Sequence, residues 1–247
     1  MSRPVIYSIG VSLPDDAGDV RGAPTPADYV ARLVDDGAAL IVVDGDREDF
    51  VFWTAAPKTS PATRRVPVIV VASDSARRAD GLRAGADFAL TPADFAAQIR
   101  DLIAREAYLP LPEVLADLAC DCAGDLPPQA VEGIERFNAG EYYRQHDLFE
   151  ALWVATERPV RDLYRAVLQV GVAYYQIERG NYHGAVKMLL RSVQWLRVLP
   201  DTCQGVDVAA LRADSAAVRA ALEILGPDGI ADFDRSLLKP VRRVSPP

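Results

Sequence analysis

The chain has 247 residues, half of them apolar and a quarter charged, the mix of a globular protein with a sizeable core and little room for extended disorder. Two ordinary domains are expected at that length. A formal net charge of −8 and a pI near 4.9 exclude the basic footprint of a nucleic-acid or anionic-membrane binder, leaving small ligands and protein partners, a second copy of the chain included.

The first hundred residues alternate short β-branched runs with helical patterns, as parallel sheets with crossover helices do. VIYSIG (Val5 to Gly10), ALIVVD (Ala39 to Asp44) and VPVIVVAS (Val66 to Ser73) are apolar on both faces and read as buried strands. PADYVARLVDDG reads as a helix stopped by Gly37, and ARRADGLRAG as one stopped by Gly85. ADFALT follows as a last strand, and PADFAAQIRDLIARE as a closing helix with Pro92 in its first turn. The apolar run at the start is too short for a signal core, and Ala166 to Ile177 falls short of the ~20 residues of a membrane span, so a cytoplasmic protein is expected.

Pro110 and Pro112 break the pattern, and residues 107–128 are expected to be a linker of helix-compatible residues. Helices are then expected over Gln129 to Asn138, Glu141 to Glu157, Pro159 to Arg179, Tyr182 to Leu199 and Val206 to Leu225, the last capped by Gly226. Residues 227–247 are expected to be a C-terminal tail whose last residues, RRVSPP, fray. Gly140 and Tyr142 recur forty residues later as Gly180 and Tyr182, which suggests two helical hairpins in a compact bundle. Cys120, Cys122 and Cys203 suggest neither a disulfide framework nor a two-pair zinc site, and are expected to be reduced.

HDLFEALW places His146, Glu150 and Trp153 on one side of a helix at about 100° per residue, with Tyr142 and Tyr143 nearby. Read as a buried aromatic face, it packs against the apolar helix after it, in which Gln169 and Gln176 stand out as polar. A buried carboxylate needs a partner, so Glu150 would be bound to His146, to a glutamine, to a tyrosine hydroxyl or to a metal. Imidazole plus carboxylate suits zinc, iron, manganese or nickel, with Glu141, Asp147, Gln176 and His183 as candidates to fill out a shell. The plain alternative is a satisfied buried pair beside a packing tryptophan.

FNAGEYYRQHDLFEALW followed by LYRAVLQVGVAYYQIERGNYHGAVKML resembles the domain of unknown function family 309 over about Ala130 to Leu199. Its motifs here are His146-x-x-x-Glu150-x-x-Trp153, Gly140-Glu141-Tyr142, and Arg179-Gly180-Asn181 with Gly184 and Ala185. The resemblance implies an all-helical domain with a suggested metal site and no established activity. Two departures weaken that metal shell: Asp147 is shorter than the usual acid there, and Gln176 stands where a histidine is expected.

LIVVDGD, RRVPVIVVASD and RAGADFALTP are similar to a response-regulator receiver domain read from its third strand onward. The resemblance puts Asp44 at the phosphoacceptor position and Ala72 or Ser73 at the hydroxyl position. Receiver chemistry also needs an acid pair after the first strand to hold Mg²⁺ and a lysine on the last strand; Val11 and Ser12, and Thr91, stand there instead. The short span from the first strand to Asp44 suggests that one strand–helix unit is lost.

The expected architecture is a degenerate receiver-like (flavodoxin-like) α/β domain, residues 1–106, then the 107–128 linker and an all-α bundle, residues 129–226. The expected function is a non-catalytic regulatory or adaptor protein whose helical half binds a partner, ligand or divalent metal at Tyr142, His146, Glu150, Trp153, Gln169 and Tyr175. The alternative is a metal-dependent, hydrolase-like enzyme with His146 and Glu150 as ligands or Glu150 as general base. Neither a P-loop, a dinucleotide glycine motif nor a nucleophile triad is present in the sequence.

Overall fold

A computed structural model describes residues 3–244. The chain divides into two compact units, Met1–Leu109 and Pro110–Pro247. In the first, strands β1 (Val5–Ile9), β2 (Asp19–Arg21), β3 (Ala38–Asp44), β4 (Val68–Val71) and β5 (Phe88–Leu90) alternate with helices α1 (Tyr29–Asp36), α2 (Phe50–Thr59), α3 (Ser75–Arg83) and α4 (Pro92–Glu106). The strands form one parallel sheet in the order 2-1-3-4-5. That is one of the two common doubly wound orders, with its switch point between β1 and β3.

Strand periodicity divides the core into two layers. Tyr7, Ile9, Ile41, Val43, Val68 and Val70 pack with Tyr29, Leu33, Phe50 and Trp53 of α1 and α2. On the other face Ile6, Leu40, Val42, Ile69 and Val71 pack with Phe95, Ile99 and Leu102 of α4. Gly37 (φ +68) ends α1 in the left-handed conformation that glycine adopts without strain. Thr91 caps α4 by accepting from Asp94 N at 3.1 Å.

One expectation is corrected in this unit. The short first span omits a helix but not a strand: residues 10–18 join β1 to β2 without a helix, and Val11, Leu13 and Ala17 cover the sheet there. Helix α2, over a stretch for which no expectation was set, forms with Phe50, Trp53, Thr54 and Pro57 on its buried side.

At the other end of β1, the Tyr7 hydroxyl donates to the Asp36 carboxylate, which also pairs with Arg21. Burial, then that hydrogen bond, pushes Tyr7 up to about 12. Asp36 lies below the usual carboxylate range because hydrogen bonds from Tyr7 and Arg21 outweigh the desolvation that would raise it. Tyr7 favours its neutral form when folded, so its contribution to stability is full below pH 10 and disappears as pH rises to about 12. Chemical denaturation across that window should show a shallower loss in Tyr7→Phe than in wild type; equal slopes would contradict the assignment.

The second unit is helix-rich: α5 (Pro112–Cys122), α6 (Pro128–Asn138), α7 (Tyr142–Ala155), α8 (Arg161–Glu178), α9 (Tyr182–Val198) and α10 (Val208–Leu225), with a two-stranded hairpin, β6 (Thr202–Cys203) and β7 (Val206–Asp207), before the last helix. The forty-residue recurrence corresponds to one turn built twice. Gly140 (φ +77) joins α6 to α7 and Gly180 (φ +69) joins α8 to α9. The following amides return to the preceding helix in the same way, Glu141 N to Arg136 O and Asn181 N to Gln176 O. Helix α8 is the buried centre, with Leu163, Ala166, Val167, Val170, Ala173, Tyr174 and Ile177 all under 4 % exposed.

Two further expectations are corrected, and a third is made specific. Within the expected linker, whose residues are helix-compatible, residues 112–122 form a helix, with Leu118 and Cys122, one turn apart, buried in the helical core. Cys122 and Cys203 form a disulfide across 81 residues of sequence, leaving Cys120 as the free, exposed thiol. The segment after Gly226 is held: Phe233 and Val241 are buried, Asn138 exchanges hydrogen bonds with Val241, and Val244 N donates to Gly205 O. The expected fraying of residues 245–247 falls outside the described residues. No helix among those described is long and apolar enough to cross a membrane.

Candidate functional site

Helix α7 turns a different stripe inward from the one expected. Tyr142, Gln145 and Phe149 are its buried residues, with Leu152 packed against the same core. Gln145 is 0 % exposed, whereas Glu150 is exposed and the His146 side chain is 33 % exposed. The buried stripe is centred roughly 60–80° from the axis through His146, a shift of less than one residue step at about 100° per residue. Its polar member, Gln145, hid it from a reading based on apolar spacing.

His146 and Glu150 are therefore not a buried pair. His146 Nδ1 lies 3.1 Å from Oδ1 of the neighbouring Asp147, and no hydrogen bond joins it to Glu150. The other shell candidates are dispersed. Glu141 pairs with Arg136 at 3.0 Å and Arg144 at 3.3 Å, Gln176 accepts from Asn181 at 2.8 Å, and His183 is exposed against the Tyr182 ring. Among the described residues no three His, Cys, Asp or Glu side chains are placed to hold a metal. The donor set of the described residues does not fit a metal centre.

Of the remaining expected site residues, Tyr142 is core, edge-on to Phe137 (5.3 Å) and Tyr174 (5.6 Å). Tyr175 is half-buried beside Tyr143, and its hydroxyl accepts from Arg179 at 3.0 Å. Trp153 and Gln169 come together around residues that sequence reading missed. The Arg165 guanidinium lies between two indoles, 4.2 Å from the Trp153 ring centre and 4.1 Å from that of Trp195. Trp195 Nε1 donates to Gln169 Oε1 at 3.2 Å, and Arg161 lies 5.9 Å over Trp153.

Three consecutive helices build this cluster. Helix α7 contributes Trp153, α8 contributes Arg161, Arg165 and Gln169 at four-residue spacing, and α9 contributes Trp195 with Arg191 one turn before it. A guanidinium stacked between aromatic faces gains cation–π attraction of about 0.5–2 kcal/mol per ring and keeps its in-plane N–H edges for hydrogen bonding. The sequence signal for it was Arg161-x-x-x-Arg165-x-x-x-Gln169, a polar row on an otherwise apolar helix. Its partner Trp195 lies thirty residues on and could not be placed without the α8–α9 turn.

At the carboxyl end of the sheet, Asp44 Oδ1 accepts from Asp46 N at 2.9 Å, and Arg47 Nε pairs with Asp49 at 2.9 Å. A Cβ on Gly10 would lie 3.1 Å from Asp44 Cβ and 3.2 Å from Arg47 Cδ, so the Arg47 stem occupies the space beside the β1 end. Arg77 donates to Gly45 O and Arg47 O, and Arg78 to Ala72 O and Ser73 O. Thr91, at the expected lysine position, is engaged as the cap of α4.

The fold thus defines a parallel α/β unit followed by a helix-rich unit with an arginine–tryptophan cluster on α7–α9. Residues 130–188 match the model of the family described as Domain of unknown function (DUF309), which covers α6, α7, α8 and the start of α9 and includes His146, Glu150 and Trp153. The chain is also similar to an uncharacterized protein of Aquifex aeolicus (strain VF5), 23% identical over 78 residues. That match spans 31% of this chain and 23% of the relative, less than a quarter of its length.

Proposed function

We propose that the protein is a non-catalytic regulatory or adaptor protein whose helical unit captures a partner on the α7–α9 face. The supporting observation is the stacked Trp153–Arg165–Trp195 cluster, because tryptophan and arginine dominate the energetic centres of protein interfaces. His146 and Glu150, half-exposed and exposed along the same helix, are polar rim to that centre. The α/β unit is a receiver-like platform that has left phosphotransfer: Arg47 fills the space where a metal-binding acid pair would act, and Thr91 is committed to a helix cap. Strand order 2-1-3-4-5 and Asp44 at the tip of β3 support that reading, although fold alone grants no activity.

Val154 is 67% exposed next to Trp153 and suits a photoreactive amino acid in the full chain. Crosslinking through Val154 in the native host should give one dominant adduct that disappears with Trp153→Ala and with Arg165→Gln. Adducts that persist in both variants, while the variants remain folded, would sink the proposal.

A further inference from the structure

We infer that the partner segment received by the α7–α9 face is acidic, its carboxylates set against Arg161, Arg191 and the Trp153 indole N–H. The inference rests on the proposal that this face is a binding surface, and it names the chemistry of the occupant. Trp153 Nε1, Arg161 Nε and Arg191 Nε are each covered from solvent and meet no acceptor. All three are N–H groups. These three donors call for an acceptor-rich occupant, since an unmatched buried donor costs about 1–3 kcal/mol and a carboxylate offers several lone pairs without a competing donor.

Charge points the same way. The chain carries −8 overall, yet this face concentrates three arginines, with Asp162 3.9 Å from Arg165. Guanidinium edges match carboxylates in paired, parallel hydrogen bonds. The two indoles stacked on Arg165 make a preorganised surface beside Arg161 and Arg191, with flat apolar ground for the segment's backbone and methylenes. Such a segment would be excluded by the remaining acidic surface and steered to this patch.

The test uses the three tryptophans of the full chain, Trp53, Trp153 and Trp195, as reporters through their indole N–H resonances, assigned with Trp153→Phe and Trp195→Phe. Titration with a short oligoglutamate peptide at constant ionic strength should move the Trp153 resonance downfield and saturably. The Trp53 resonance, whose N–H already donates to Asp49 at 2.8 Å, should stay fixed. Arg161→Gln with Arg191→Gln should weaken the response at least tenfold. A null response to oligoglutamate, an undiminished response in the double variant, or a response to inorganic phosphate without one to the peptide would each overturn the acidic-segment inference. If the Val154 adduct still maps to this face in those cases, the binding surface stands and its chemistry was misassigned.

Discussion

Removing the Cys122–Cys203 disulfide should lower the stability of the helical unit by about 4 kcal/mol. The bridge closes 81 residues, and the loss of that closure frees the unfolded chain by an amount that grows with the logarithm of loop length. Both half-cystines are buried, Cys203 at 0% exposure, and the bridge joins the end of α5 to the β6–β7 hairpin. Around it Gln204 N donates to Cys122 O at 2.7 Å, the Tyr164 hydroxyl to Gln204 Oε1 at 2.9 Å, and Arg158 pairs with Asp121 at 2.6 Å. The measurement is guanidinium denaturation of Cys122→Ala/Cys203→Ala, followed by tryptophan fluorescence, in which Trp153 and Trp195 report this unit. In protein purified without reductant, native alkylation should label Cys120 alone. Full labelling of Cys122 and Cys203, or a double variant as stable as wild type, would contradict the bridge.

Gly171→Ala should cost about 2–3 kcal/mol, although alanine at an ordinary helix interior gains about 0.5–1 kcal/mol over glycine. A Cβ at Gly171 would lie 2.3 Å from Gln145 Nε2, 2.7 Å from its Cδ and 3.1 Å from Phe137 Cδ2. Gln145 is fully buried and donates to Leu168 O at 3.4 Å, so its amide must shift against close-packed neighbours and lose that bond. Gln145→Ala in the Gly171→Ala background should recover part of the loss, a coupling of opposite sign to simple additivity. A single variant as stable as wild type, or strict additivity in the cycle, would show that the helices do not approach this closely.

The parallel sheet and the helix order were legible because buried strands are apolar on both faces and glycines mark helix ends. AALIVVD is buried until Asp44, and Gly37, Gly140, Gly180 and Gly226 all adopt positive φ where helices stop. Helix α2 was not singled out because FVFWTAAP is apolar nearly all round and shows no stripe, and α5 was read only as helix-compatible linker. The candidate site was legible only in part. Trp153 and Gln169 were singled out and do meet, but through Arg165 and Trp195, which share no local motif with them. Glu150 was assigned to a buried face because apolar periodicity alone fixes a helix's orientation only to within about one residue, and Gln145 supplied no apolar signal. The disulfide was missed because residues 81 apart in sequence carry no spacing rule.

The claim that the helical unit binds through its stacked arginine is tested most directly by calorimetric affinity measurements with the partner captured through Val154, purified and titrated into the full chain. Trp153→Ala and Arg165→Gln should each weaken binding at least tenfold, a loss of about 1.4 kcal/mol or more, while Asp44→Asn leaves it unchanged. Unaltered affinity in both helical variants, or a loss that follows Asp44 instead, would contradict the account.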